Sequence, residues 1–175
     1  MTNLPVPTPA SVVPGNFLTA ALWNANVYNG LTFTLNRPMF VGYQATAQAF
    51  ANFTLTKLSI DTTSVDTYGG HSNTTNNSRY TAQVAGWYLV IGVVEYAANA
   101  AGARLVEFYK NNAVITPWSS VEDARGTDMN HSVTCIGFVQ MAVGDYVEIV
   151  GAQSAGGSLN TVANQSGMAV IWIHA

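Results

Sequence analysis

The sequence predicts an all-β protein, an antiparallel sandwich of the jelly-roll type, preceded by an extended arm and one short helix. Three observations predict it. From Met39 onward the chain is a series of short β-rich runs divided by turn residues, with no helical pattern between them. The run GWYLVIGVVEY, Gly86 to Tyr96, carries Trp87, Leu89, Ile91 and Val93 on one strand face and Tyr88, Val90, Val94 and Tyr96 on the other, so both faces are apolar. Four prolines, Pro5, Pro7, Pro9 and Pro14, precede Gly15, which makes the start extended and polyproline-like.

The arm and helix occupy residues 1–38 and the β domain residues 39–175. In the helix stretch, FLTAALWNANVYNGL, Thr19 is placed to cap the N-terminus and Gly30 to end the helix in a left-handed conformation. Trp23, Val27 and Leu31 fall at i, i+4 and i+8, with Leu18 and Leu22 on the adjoining row, giving one apolar stripe. A helix this short is marginal alone, and its stripe needs a docking surface: its own β domain or a neighbouring subunit.

The predicted strands are Val41 to Thr46, Thr54 to Ile60, Arg79 to Val84, Trp87 to Tyr96, Ala103 to Lys110, Ala113 to Thr116, His131 to Met141, Tyr146 to Gln153 and Gly167 to His174. YGGHSNTTNNS, SSVEDARGTDMN and AQSAGGSLNTVANQS read as polar loops, the last with a brief strand near Leu159. The final run repeats the doubled pattern, with Met168, Val170 and Trp172 on one side and Ala169, Ile171 and Ile173 on the other. At about 25 cal/mol per Å² of apolar surface, a second such face left in water forgoes several kcal/mol and invites aggregation. A closed symmetric oligomer solves this.

Composition narrows the function. Hydrophobic residues make up 49% of the 175 residues and charged ones only 9%, so solubility comes from Ser, Thr, Asn and Gln. The net charge is -3, and the six basic residues, Arg37, Lys57, Arg79, Arg104, Lys110 and Arg125, stand singly. Nucleic acid and anionic membrane surfaces call for clustered cations and are not expected partners. No apolar run approaches the roughly 20 residues of a membrane span. The start MTNLPVPTPASVVPG has neither a basic region nor an apolar one, so no signal peptide is expected. The single cysteine, Cys135 in SVTCIGFVQ, reads as a buried small hydrophobe.

No catalytic or metal constellation is expected. His71, His131 and His174 never fall at metal-ligand spacing. Asp61, Asp66, Glu122, Asp123 and Asp128 sit in predicted loops, with no pair on rigid supports of the kind glycoside hydrolysis needs. EDARGTD is oxygen-rich but lacks a calcium-loop spacing. No cofactor is expected either. Tyr68, His71 and Trp118 are the candidates for stacking on or hydrogen bonding to a ligand from the loops.

RYTAQVAGWYLVIGVV, EFYKNNAVI, VQMAVGDYVEIVG and the closing GMAVIWIHA, in that order, resemble the signature of the C1q/TNF-like domain. The matching positions are Tyr80, then Gly86-Trp87-Tyr88 with Leu89 and Val90, the turn Lys110-Asn111-Asn112, Gly144-Asp145-Tyr146-Val147, and the last strand with Val170 and Trp172. The resemblance spans about residues 40–175. It implies a ten-strand jelly roll assembled as a compact homotrimer, with these residues building the fold and the trimer core and Gly144-Asp145 fixing a hairpin. Asn112 stands where that family usually has Gly, and no collagen repeat precedes the domain.

VPGNFLTAALWNANVYNGLTFTLNRPMF is similar to the opening of virion proteins of tailed bacteriophages. Together the two resemblances imply a non-enzymatic homotrimer on the virion surface, a capsid decoration or head-fibre protein made in the host cytoplasm. Its anchor to the capsid or another virion protein would be Leu18, Leu22, Trp23, Val27 and Leu31. The alternative is a tail-fibre or tail-tip protein that grips host cell-wall carbohydrate with its polar loops.

Overall fold

Alternation with period two dominates the chain after Pro38, and the computed structural model, which describes residues 3–175, turns it into two facing sheets. The strands are Met39–Tyr43 (β1), Ala49–Phe50 (β2), Thr56–Lys57 (β3), Thr62–Asp66 (β4), Arg79–Thr81 (β5), Gly86–Tyr96 (β6), Ala103–Lys110 (β7), Ala113–Asp123 (β8), His131–Met141 (β9), Tyr146–Gln153 (β10), Leu159–Asn160 (β11) and Gly167–His174 (β12). One sheet runs β4-β1-β12-β6-β9; the other runs β3-β10-β7-β8, with β5 also pairing β10. β11 and β2 form a small separate pair. Every ladder is antiparallel.

Between the sheets lie Tyr88, Val90, Val94 and Tyr96 of β6, Val106 and Phe108 of β7, Ile149 of β10 and Val170 of β12, all closed to solvent. Gly92 is the gap among them: a methyl group there would press into Ile149 and Phe108 of the opposite sheet. Tyr96 keeps its hydroxyl satisfied inside the core by sharing its one proton between the carbonyls of Leu105 (2.9 Å) and Ala152 (3.1 Å).

The four strands β7, β9, β10 and β12 have the bounds that the sequence predicts. Elsewhere the structure differs for physical reasons. The run 119–123, read as loop, continues β8, because it has β7 as a partner. β4 (TTSVD) is too polar to be read as a strand, yet it is an edge strand whose ladder to β1 needs no apolar side chain. The stretch 54–60 pairs only over Thr56–Lys57. β10 looks half-polar but is buried on both faces: Glu148 is capped by Lys57 (Nζ to Oε2, 2.7 Å) and by Ser78, whose hydroxyl donates to Oε1 at 2.7 Å.

The helix starts where the sequence places it, with Thr19 Oγ1 accepting from the Leu22 amide at 3.2 Å. It does not stop at Gly30. An α-turn Ala20–Trp23, a π-helical stretch Asn24–Tyr28 and a second α segment Asn29–Leu35 run on to Asn36. Gly30 is helical and interior, so the left-handed cap expected there is corrected: glycine permits that conformation without imposing it. The π stretch also offsets the two α segments, so the side chain that docks is Phe33, outside the predicted stripe. Its ring meets Trp172 edge-on at 4.8 Å beside Tyr68 and Val84. The arm is not free of the body either. Leu4 and Val6 pack on the same cluster, and Tyr68 donates its hydroxyl to the Leu4 carbonyl at 3.0 Å.

The β7–β8 hairpin turns through Asn111 and Asn112, both left-handed at φ 51° and 66°, as a type I′ turn requires. We expect Asn112→Gly to hold or raise the melting temperature and Asn112→Val to lower stability by about 1–2 kcal/mol, read by thermal denaturation.

Candidate functional site

The other face of the first sheet is the feature that the fold leaves uncovered. Cross-strand register aligns Val65, Val41, Ala169, Ile91 and Ile136 into one apolar row across five strands. A second row joins Met39, Ile171, Leu89 and Phe138. Along the margins stand Thr62, Thr134, Glu95, Ser132 and Gln140. Ile136 is 54% exposed and Phe138 49% in the single chain. The sequence pattern produces this directly, since the residues of β6 and β12 opposite the core are Leu89, Ile91, Ala169 and Ile171. An apolar centre with a polar rim is the anatomy of a protein interface.

The residues proposed for the fold and trimer core divide between the two faces. Tyr80, Tyr88, Val90 and Val170 lie inside the sandwich, while Trp87 and Leu89 stand on the outer face. Gly86 abuts the last strand: a Cβ there would collide with the His174 carbonyl and Trp172 Nε1. The Trp172 indole instead donates to the Ala85 carbonyl at 3.1 Å.

Gly144 and Asp145 do not form a hairpin, which corrects the expectation. β9 belongs to one sheet and β10 to the other, so this turn is an arch between sheets, with Gly144 at φ 89°. Asp145 holds the arch together. Its carboxylate accepts from Lys110 (2.9 Å), Asn111 Nδ2 (2.7 Å) and the Ala142 amide (2.9 Å), while Asn111 Oδ1 accepts from the Tyr146 amide at 3.0 Å. The Lys110 contact first, then Asn111 and the amide, hold the Asp145 carboxyl down at about 2.

The anchor candidates are open or half-open. Leu18, Trp23 and Leu31 are exposed, Leu22 and Val27 half-buried, and none belongs to a core cluster. Phe17, 89% exposed, and Leu35 are open to solvent as well.

Two of the three ligand-contacting candidates are corrected. Tyr68 is only 5% exposed and lies under the arm, so its ring has no face for a ligand. Both His71 ring nitrogens face main-chain carbonyls, Nδ1 with Arg79 O at 2.8 Å and Nε2 with Ile60 O at 3.0 Å, and the ring packs on Phe40 at 4.6 Å. Trp118 is half-buried against Gly137, donates to the Phe138 carbonyl at 3.0 Å, and lines an aromatic cleft with Trp87 and Phe138.

Among the described residues, no group of three or more His, Cys, Asp and Glu side chains converges on one point. Glu122 joins Arg125 (2.6 Å) and the buried His131 (3.0 Å); hydrogen bonds from His131 and then Arg125 lower its carboxyl below the ordinary range. Burial pushes the Cys135 thiol up to about 11, so the side chain is a packing group and not a nucleophile at neutral pH.

No protein-family model and no curated protein matches the chain. Solved structures do. The globular domain of zebrafish complement 1qA protein superposes with a TM-score of 0.57 at 12% identity, over 79% of this chain and 98% of that one. Murine APRIL at pH 5.0 gives 0.57 at 11% identity, over 78% and 98%. Eiger TNF from S. frugiperda gives 0.52 at 14% identity, over 78% and 94%. At such identities the likeness concerns the fold alone, and that fold is the C1q/TNF-like jelly roll.

Asp145 supplies a pH test. Because its folded-state value lies below that of an unfolded aspartate, about 3.9, its contribution to stability is present above about pH 4 and is lost as pH falls through about 2. Asp145→Asn should therefore be less stable than the parent at pH 6, and the gap should close toward pH 2 in chemical denaturation measured across that range.

Proposed function

We propose that the chain is a non-enzymatic structural protein of a bacteriophage virion, a homotrimer fixed to the capsid by its arm and helix. The observation that carries this reading is the apolar outer face of the β4-β1-β12-β6-β9 sheet, where one row runs unbroken over five strands and a second over four. Three copies around an axis can each cover a neighbour's face and close without leaving a free edge, which is how a chain with so few charges stays soluble.

The anchor reading rests on exposed apolar side chains, Leu18 just before the helix and Trp23 and Leu31 on it. Phe33, Leu4 and Val6 tie the arm and helix to the β domain, so the exposed stripe is presented at a fixed place on each subunit. Three such stripes per trimer raise apparent affinity through effective concentration. The virion assignment itself is supported by the opening sequence and by the Asn-, Thr- and Ser-rich, charge-poor surface.

Two experiments test the two surfaces separately. Ile136→Asp places a charge in the apolar row of the outer face, on its β9 side, without touching the core; it should leave a folded chain whose mass in light scattering falls from an oligomer to a single 18.6 kDa copy. Trp23→Asp with Leu31→Asp should leave the oligomer intact and abolish co-sedimentation with capsids purified without this protein. Unchanged binding of that variant would reject the anchor.

A further inference from the structure

Of the six cationic side chains, three hold carboxylates: Lys57 with Glu148, Lys110 with Asp145 and Arg125 with Glu122. Arg104 is buried and donates to the carbonyls of Asn99, Ala101 and Ala103. Arg37 is exposed to water. Arg79 is different. It is half-buried, its guanidinium carbon lies 4.2 Å from the centre of the Tyr146 ring, and its Nε, like that of Arg104, is closed to solvent without a hydrogen-bond partner. Among the described residues no carboxylate comes within salt-bridge distance of it.

Arg79 lines a cavity of about 290 Å³ whose other walls are Gly69, Gly70, Ser72, Thr75, Asn76 and Gln83, with His71 and Thr81. The loop that makes the walls is firmly built. Asp66 accepts from the amides of Gly70 (3.1 Å) and His71 (2.9 Å), and Ser72 Oγ accepts from those of Thr74 (3.4 Å) and Thr75 (3.1 Å). His71 braces the loop on the carbonyls of Ile60 and Arg79. With Asp66 and His71 occupied in this way, the groups free to meet a ligand are the guanidinium, the Ser72 hydroxyl proton, Thr75 Oγ1 and the Asn76 amide.

We propose that this cavity binds an acidic sugar of the uronic acid class, with Arg79 receiving the carboxylate and Ser72, Thr75 and Asn76 hydrogen bonding to the ring hydroxyls. A planar, delocalised cation pre-oriented on an aromatic ring suits a carboxylate, which it takes through two parallel N–H donors. Neutral hydroxyl and amide groups around it suit a polyol and offer nothing to an apolar ligand. One guanidinium is too little for a nucleic-acid backbone, and no other cation lines the cavity. None of the residues lining the site belongs to the apolar rows of the first sheet.

The test is an amide-resolved NMR titration of the full-length chain with D-glucuronate, D-glucose and inorganic phosphate at matched ionic strength. We expect glucuronate to move the Gly70, Ser72 and Asn76 amides saturably, and glucose and phosphate each to bind at least about ten-fold more weakly. Arg79→Gln should remove glucuronate binding and Arg79→Lys should weaken it about ten-fold, the difference between a charge and a bidentate fork. Asn76→Gly keeps the left-handed φ of 51° while removing the amide; it should weaken glucuronate several-fold without altering the rest of the spectrum, and it serves where an Arg79 variant fails to fold. Equal binding of glucose and glucuronate, phosphate binding as well as glucuronate, or parental affinity in Asn76→Gly and Arg79→Lys would overturn the proposal.

Discussion

A strand that is apolar on both faces needs two covers, and β6 and β12 together set that constraint for the whole molecule. One cover is the opposite sheet, and it accounts for the core: Tyr88, Val90 and Val94 meet Phe108 and Ile149 across the sandwich. The second cover is absent from a single chain. Leu89, Ile91, Ala169 and Ile171 lie at the middle of the exposed face, and their neighbours Ile136 and Phe138 on β9 are about half open. Fully burying a side chain of this size is worth about 1.5–3 kcal/mol, so the face holds a driving force comparable to the net stability of a domain. Such a surface is stable in solution only when something specific closes over it.

The described arm, helix and inter-sheet arch lie away from the apolar rows of that face. The arch at Gly144-Asp145 passes the chain from one sheet to the other at the edge of the sandwich, and Asp145 clamps it to the β7–β8 turn through Lys110 and Asn111. The arm and helix collect on another part of the surface around Phe33, Tyr68, Val84 and Trp172, leaving the apolar rows clear. In the far sheet, Lys57 pairs with the buried Glu148 carboxylate and Ser78 donates to it. The two exposed apolar surfaces therefore serve different partners in the reading proposed here, one a copy of the chain and the other the particle beneath it.

Much of this was legible in the sequence, because side-chain alternation is a local signal. The doubled faces of Gly86–Tyr96 and Gly167–His174 could be read residue by residue, and long apolar strands such as His131–Met141 declared their own bounds. What stayed hidden depends on partners distant in the chain. β4 is a strand only because β1 lies beside it; Gly30 stays helical because the chain continues as a helix to Phe33, which has a pocket to fill. The burial of Tyr68 is imposed by Leu4, 64 residues away, and the Arg79 cavity by a loop whose bracing groups, Asp66 and His71, look like free polar residues when read in order. Asp145 was read as structural, and it is, but whether its turn joins one sheet or two is a property of topology that no tetrapeptide encodes.

The most direct measurement is sedimentation equilibrium of the unmodified chain over a wide concentration range at neutral pH. The account predicts a single species of three times the 18.6 kDa chain mass, persisting on dilution. A well-behaved single-copy species at physiological concentration would contradict it, since the apolar rows of the first sheet would then be stable in water without a cover.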